Sequence, residues 1–270
     1  MIDKKTRLSA PRRPTPLPTP FIGIGSLLAG GAGKTPYTAF LVKQFTEQGL
    51  KVAIICKNTG DENLWFAKKG FSVFTTNFFK NRLQIYNSIK NDFDVILTDD
   101  GLEDGRLSNV LWIVLTWGEK AEKISDLIPN GNCRSLWKDH GAGGRISCIK
   151  RCAVQGDGNE NQASIIFSTA EPKNFLGCLL KENSKIIALA GIARPERFFN
   201  SLSKKYNVIK KITLPDHCKN ISSKVELALK DDLPIAITEK DSIKLPTHIL
   251  QNKNLFVAEL KIEIASQSPQ

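Results

Sequence analysis

The sequence predicts an α/β protein: a mostly parallel sheet covered by helices on both faces, joined to a smaller C-terminal α/β unit. Short apolar runs recur along nearly the whole chain, as strands buried on both faces require. The first run opens a strand, turn, helix, strand series, and such a unit makes its two strands parallel neighbours. A chain of 270 residues, 41% hydrophobic and 24% charged, is long enough for one large domain or two modest ones without covalent staples.

Residues 1–20 read as an irregular basic arm. They carry Lys4, Lys5, Arg7, Arg12 and Arg13 against Asp3, and Pro11, Pro14, Pro16, Pro18 and Pro20 remove donors and block a helix. Phe21 to Ile24 is the first buried strand. A glycine-rich turn leads into a helix from about Lys34 to Gln48, closed by Gly49, and Lys51 to Cys56 forms the second strand. Further strands are expected at Phe71 to Thr75, Val95 to Thr98, Leu111 to Leu115, Ile165 to Ser168, Ile186 to Ala190 and Ile235 to Thr238. Between Asn130 and Asn161 glycine and polar residues are dense, which predicts long loops and a lid among them. The polar stretch Lys181 to Lys185 precedes a fresh strand, turn and helix, dividing the chain into a nucleotide-binding domain over 21–182 and a smaller domain over 183–270.

The longest apolar runs, Phe21 to Ala29, Val110 to Leu115 and Ile186 to Ala193, fall well short of the ~18 residues a spanning helix needs. The first twenty residues lack the apolar segment of a signal peptide, so a cytoplasmic location is expected. The net charge of +11 favours anionic partners: nucleotide phosphates, an anionic lipid surface or nucleic acid. Nucleic acid is not expected, because the cations are scattered rather than interleaved with aromatics. The six cysteines include no C-x-x-C pair. Cys148 and Cys152 could share a helix face, but no histidine stands at ligand spacing, and His140, His217 and His248 are far apart in sequence.

The strongest chemical signal is Gly30-Gly31-Ala32-Gly33-Lys34-Thr35, directly after a predicted strand and opening a predicted helix. Glycines let the backbone curl so that its N–H groups point at phosphate oxygens, and the helix N-terminus adds a favourable dipole. Lys34 would neutralise terminal phosphates and the Thr35 hydroxyl would ligate Mg²⁺. Leu28 stands where the strict phosphate-loop pattern has its first glycine. The second signal is Asp99-Asp100 at the end of the strand Val95 to Thr98, where a carboxylate can hold Mg²⁺ at the carboxyl edge of a parallel sheet.

Together these segments resemble a known family. Gly25-Ser26-Leu27, Gly30 to Pro36, Gly60-Asp61-Glu62, Asp99-Asp100-Gly101-Leu102, Leu127-Ile128-Pro129-Asn130-Gly131 with Arg134, Ala190 to Phe198, Pro215-Asp216-His217 and Thr238-Glu239-Lys240-Asp241 occur in the order found in the tetraacyldisaccharide 4′-kinases of lipid A synthesis. The resemblance covers residues 21–245, and the family loop has no glycine at the place of Leu28. It implies transfer of the ATP γ-phosphoryl group to the 4′-hydroxyl of an acylated glucosamine disaccharide 1-phosphate. The location implied is the cytoplasmic face of the anionic inner membrane of a Gram-negative bacterium. By the same resemblance Lys34 and Thr35 are phosphate-loop residues, Asp99 and Asp100 lie near Mg²⁺, Asp61 is the catalytic base and His217 pairs with it. An alcohol nucleophile does need a carboxylate to take its proton.

Departures from the family pattern are local. Cys56-Lys57-Asn58-Thr59 leads straight into Gly60, without the insert that family members carry there. Glu103 and Asp104 replace a neutral amide and a histidine, and the family's apolar N-terminal helix is absent or reduced to the basic arm. The alternative expectation is therefore a divergent homologue that binds nucleotide or lipid without turnover. Thr238-Glu239-Lys240-Asp241 is superficially similar to a guanine-reading N-K-x-D loop, but shifted, with Asp directly after Lys and Glu in place of Asn; another P-loop enzyme, such as a different small-molecule kinase or a GTPase, is the weaker alternative.

Overall fold

The computed structural model describes residues 18–58, 60–77, 81–104, 107, 110–116, 121–136, 146–152, 164–216 and 218–265. Residues 1–17 of the expected arm and His217 lie outside them. The chain builds two sheets. The larger contains β1 (Phe21–Gly25), β2 (Val52–Lys57), β3 (Ser72–Thr76), β4 (Val95–Asp99), β5 (Leu111–Thr116), β6 (Ile146–Cys152) and β7 (Ser164–Thr169). The smaller contains β8 (Lys185–Ala190), β9 (Asn207–Thr213), β10 (Ile235–Thr238) and β11 (Leu255–Ala258). The last strand, β12 (Leu260–Ala265), returns to the larger sheet, where it runs antiparallel to β7. The unit expected over 183–270 therefore gives its final strand to the other sheet.

Strand order is β12-β7-β6-β5-β1-β4-β2-β3 in the larger sheet and β11-β10-β8-β9 in the smaller. Every pairing other than β12 with β7 is parallel. Helices cover both faces, which is why central strands such as VAIICK and KIIALA read as unbroken apolar runs. On the larger sheet α1 (Lys34–Glu47) and α2 (Glu62–Lys68) bury Tyr37, Val42, Trp65 and Phe66 against Ile24, Ile54 and Leu97. The opposite face takes Ile85 and Ile89 of α3 (Arg82–Ile89) against Ile55 and Ile96. The smaller sheet repeats this, with Phe198, Phe199 and Leu202 of α4 (Pro195–Ser203) on one face and Ile221 and Val225 of α5 (Ile221–Leu229) on the other. Two short helices follow, α6 (Glu239–Ser242) and α7 (Thr247–Leu250).

Order begins before Phe21: Thr19 caps a backbone carbonyl of Lys90, and its own carbonyl accepts the Tyr86 hydroxyl at 2.7 Å. Cys148 and Cys152 fall on strand β6, not on a helix, because the segment extends the parallel sheet beside β5. That strand lies inside the stretch expected to be loops; residues 137–145 and 153–163, where a lid would sit, are outside the described part of the chain. No described helix is long and apolar enough to cross a membrane.

The two sheets are fastened at α2 and the segment after α6. Lys68 Nζ donates to the Ile243 carbonyl at 2.6 Å, Lys69 pairs with Glu239, and Ile243 enters the core of the larger sheet. The carboxyl edges of the two sheets meet elsewhere, where Asp61 after β2 pairs with Lys244 and the turn at Gly30 and Gly31 lies against Ala193 and Arg194.

Candidate active site

The turn after β1 holds Gly30, Gly31 and Gly33 at φ of 97°, 67° and 85°, the left-handed region that glycine enters without strain. Gly33 is the N-cap of α1, so the curled backbone runs straight into the helix carrying Lys34 and Thr35 on its first turn. Leu28 is buried in the core, and it bridges to Cys133 while the Ala29 N–H donates to the Asn132 carbonyl at 2.9 Å. A side chain is useful at that position because the loop is braced there by the segment 127–134.

Asp99 ends β4 directly beneath the loop and is 3% exposed. It accepts from Thr35 Oγ1 at 2.9 Å and lies 3.2 Å from Thr38 Oγ1. Burial, then the nearby charge of Glu62, raise its pKa to about 7 against the pull of Thr35 and Lys34. The Thr38 hydroxyl also donates to the Lys34 carbonyl at 3.0 Å. Its one hydrogen cannot serve both acceptors, so a protonated Asp99 donating to Thr38 satisfies the whole chain.

Asp100 behaves oppositely. Its backbone is left-handed, φ 64°, which turns the carboxylate out of the strand toward the loop. Burial works against its charge, but Lys34, at 3.8 Å, and Arg134, at 3.2 Å, outweigh it and hold the carboxyl below its usual range. Asp100 Oδ1 is buried without a hydrogen bond. Arg82 fixes the strand end from the other side, donating from Nε to Thr98 Oγ1 at 2.9 Å and from Nη2 to the Asp99 carbonyl at 3.3 Å.

Once Asp99 gives up its proton, as a cation beside it would favour, the carboxylate pair fits a hard cation. Asp99, the Thr35 hydroxyl and the orphaned Asp100 oxygen are all oxygen donors of the kind Mg²⁺ takes. They are too few to fill an octahedral shell, which is the usual arrangement where nucleotide phosphates and water supply the rest.

Asp61 is the N-cap of α2, at the carboxyl end of β2, and its Oδ2 lies 2.8 Å from Lys244 Nζ. Lys244 Nζ is buried and has no well-aligned hydrogen bond, so the contact is an ion pair held by charge. Glu62 lies close enough to raise the Asp99 pKa, so the α2 N-terminus belongs to the same edge as the phosphate loop. The expected partner, His217, lies outside the described residues; next to it, Asp216 accepts from Lys240 Nζ at 3.2 Å. Asp241 is a structural anchor: fully buried, its Oδ2 accepts from the Gly191 N–H at 2.9 Å and from Thr238 Oγ1 at 2.7 Å. Glu103 points to solvent, and the Asp104 N–H closes a turn on the Gly101 carbonyl.

The sequence-predicted residues Lys34, Thr35, Asp99 and Asp100 meet at one edge, with Asp61 beside them. Thr38, Arg82, Lys244 and the pairing of Arg134 with Asp100 were not anticipated. Of these only Thr38 carries a local signal, one helical turn beyond Lys34 and on the same face.

Comparison with known proteins follows this geometry. A family model described as tetraacyldisaccharide-1-P 4′-kinase matches residues 4–58 and 56–270. A tetraacyldisaccharide 4′-kinase of Neisseria meningitidis serogroup A is 30% identical over 266 residues, covering 88% of this chain and 76% of its own. The Shewanella frigidimarina protein of the same name is 28% identical over 259 residues, covering 84% and 73%. The crystal structure of LpxK from Aquifex aeolicus in complex with ATP has a TM-score of 0.64 at 20% identity, over 92% of this chain and 85% of that one. The α/β fold is the one expected.

Proposed function

This chain belongs to the tetraacyldisaccharide-1-phosphate 4′-kinase family, and we propose that the edge formed by the phosphate loop, Asp99, Asp100 and Asp61 carries its reaction. The activity is transfer of the γ-phosphoryl group of ATP to the 4′-hydroxyl of tetraacyldisaccharide 1-phosphate in lipid A synthesis. The observation that carries the site is the convergence of Lys34, Thr35 and both aspartates on one sheet edge beneath a left-handed glycine turn.

In the mechanism we infer, N–H groups of the turn from Gly31 to Gly33 face the phosphates, the Gly30 N–H closing the turn on the Leu28 carbonyl at 3.0 Å, and the Lys34 ammonium neutralises their charge. Thr35, Asp99 and Asp100 would hold Mg²⁺, which supplies charge neutralisation on the phosphate oxygens. Arg134 and Lys34 keep Asp100 ionised for this. Asp61 accepts the proton of the 4′-hydroxyl as its oxygen bonds to phosphorus and the bond to the ADP oxygen breaks. Lys244 orients the Asp61 carboxylate, and His217, adjoining Asp216, is retained as its second partner. The acylated substrate and the basic N-terminal arm support peripheral attachment to the anionic cytoplasmic face of a Gram-negative inner membrane.

The test is to incubate the protein with Mg²⁺, labelled ATP and the disaccharide 1-phosphate in detergent and look for a bisphosphorylated product. Product that requires both Mg²⁺ and Lys34 supports the assignment. Nucleotide binding without product sinks it in favour of a non-catalytic homologue.

A further inference from the structure

We propose that Arg194, carried by the smaller sheet, binds the terminal phosphate of the nucleotide seated in the phosphate loop of the larger one. The inference rests on the phosphate-loop assignment above and adds a specific group to it.

Arg194 sits between β8 and α4, and its side chain lies across the loop. A Cβ built on Gly31 would come within 3.1 Å of Arg194 Cγ, Cδ and Nε, and one built on Gly30 would lie 3.8 Å from the Ala193 methyl. Gly31 therefore answers two demands at once, a left-handed φ of 67° and the passage of this side chain. The stem crosses the part of the loop whose N–H groups would face phosphate, so its guanidinium lies at the same edge.

The other cations there are engaged. Lys34 and Arg134 reach Asp100, and Arg82 is spent on Thr98 and the Asp99 carbonyl. Arg194 makes no hydrogen bond or ion pair with any residue of the described chain. Arg197 lies close: its own burial and then the charge of Arg194 depress its pKa. The Arg194 guanidinium beside a turn of N–H donors makes a positive field that an anionic group relieves.

The support under Arg194 is rigid. Pro195 occupies the first helical position of α4 and fixes the backbone that follows, and the Gly191 N–H is held by buried Asp241. A guanidinium presented this way can take two phosphate oxygens in parallel and follow the charge that builds on them during transfer. It neither gains nor loses a proton; the proton of the attacking hydroxyl goes to Asp61 as before. The smaller sheet then contributes directly to nucleotide binding.

The experiment uses the full chain with Mg²⁺ and compares affinities for ATP and ADP, with kcat measured alongside. Arg194→Ala should weaken ATP by at least ~10-fold, change ADP by less than ~2-fold, and lower kcat, in line with the large rate effects of arginines on transferring phosphoryl groups. Arg194→Lys should recover much of the ATP affinity but less of the rate, because an ammonium offers a point charge without the planar fork. The Tm should hold in both, since the side chain makes no hydrogen bond or ion pair among the described residues. Lys204→Ala, at the far end of α4, removes equal charge and should leave every value unchanged. Equal losses for ATP and ADP, or none for either, overturn the proposal. If Lys34→Ala also leaves ATP affinity intact, the phosphate-loop assignment fails too; if Lys34→Ala loses it and Arg194→Ala does not, Arg194 alone is misassigned.

Discussion

Lys34, Asp61 and Asp99 put the same physical problem, a charge held close to its limit of burial, to three different uses. Lys34 lies on the first turn of α1 with its side chain 11% exposed, and because Arg134 still pairs with Asp100 when it is removed, Lys34→Ala should leave the Tm near its original value. Turnover should fall at least ~100-fold, as for loss of a single preorganised charged contact worth ~2 to 4 kcal/mol, and a product assay showing more than a tenth of the activity would contradict the assignment. Asp61 and Lys244 are coupled differently, because removing Asp61 leaves the buried Lys244 ammonium without its ion-pair partner. Asp61→Asn should lower kcat by at least ~100-fold with little change in ATP affinity. Lys244→Met in that background should recover stability lost in the single variant without recovering rate, so a double-mutant cycle read by Tm and by kcat separates the structural role from the chemical one. For Asp99 the sign follows from linkage. Folding raises its pKa from 3.8 to about 7, so the folded protein keeps a proton that the unfolded chain has released. Stability contributed by this group falls as pH rises from about 4 to about 7, and the whole cost is present above that window. Nucleotide-free Asp99→Asn should accordingly melt higher than the parent at pH 8, by ~2 to 4 °C for each kcal/mol recovered, and the gap should vanish near pH 4.

At the scale of elements, the turns that carry the site are held by interactions remote in sequence. The β8–α4 turn is the clearest case: Gly191 is pinned by Asp241, which caps its own helix through Thr238. Asp241→Ala strands a buried N–H and should cost ~1 to 3 kcal/mol, whereas Asp241→Asn keeps an acceptor for Gly191 and should cost much less. Thermal melts of the two variants decide this, and equal losses would show that charge rather than the acceptor matters. The same dependence on distant partners explains what could be read in advance. The strands β1 through β5, β7, β8 and β10 declare themselves as short apolar runs, most of them inside a sheet and β3 at an edge where Val73 and Phe74 keep the run apolar, and their bounds agree with expectation to within a residue or so. The strands that escaped were β9, β11 and β12 at sheet edges, and β6, where Ser147, Lys150 and Arg151 break the run. An edge strand such as NVIKKIT exposes much of its length and needs no continuous hydrophobic surface. The phosphate loop was legible because its chemistry is local: glycines, a lysine and a hydroxyl in one turn. Lys244 and Arg194 were not, since each reaches the site only through the packing of one sheet against the other, and Arg134 was not, since it is brought there by the segment that braces the phosphate loop.

For the whole molecule, the site lies where the carboxyl edges of two sheets meet, and the return of β12 to the larger sheet ties the chain's last strand to the same body. A protein so arranged has to meet a lipid substrate from its surface, and two features offer to do so. One is the cationic arm with Lys4, Lys5, Arg7, Arg12 and Arg13; the other is the turn between β7 and β8, where Phe175, Leu176 and Leu179 are each more than half exposed and Lys173 and Lys181 flank them. They differ in how they respond to salt. Attraction of basic residues to anionic headgroups is worth ~1 kcal/mol each near the surface. It is screened over ~8 Å at physiological ionic strength and ~3 Å at 1 M. Burial of apolar side chains is not weakened by salt in this way. If the arm is the anchor, the protein should sediment with anionic vesicles at low salt and leave them at 1 M, and a chain starting at Phe21 should bind weakly at both. Retention of the truncated chain on vesicles at 1 M salt would count against the arm, and Phe175→Ser with Leu176→Ser would then be expected to release it.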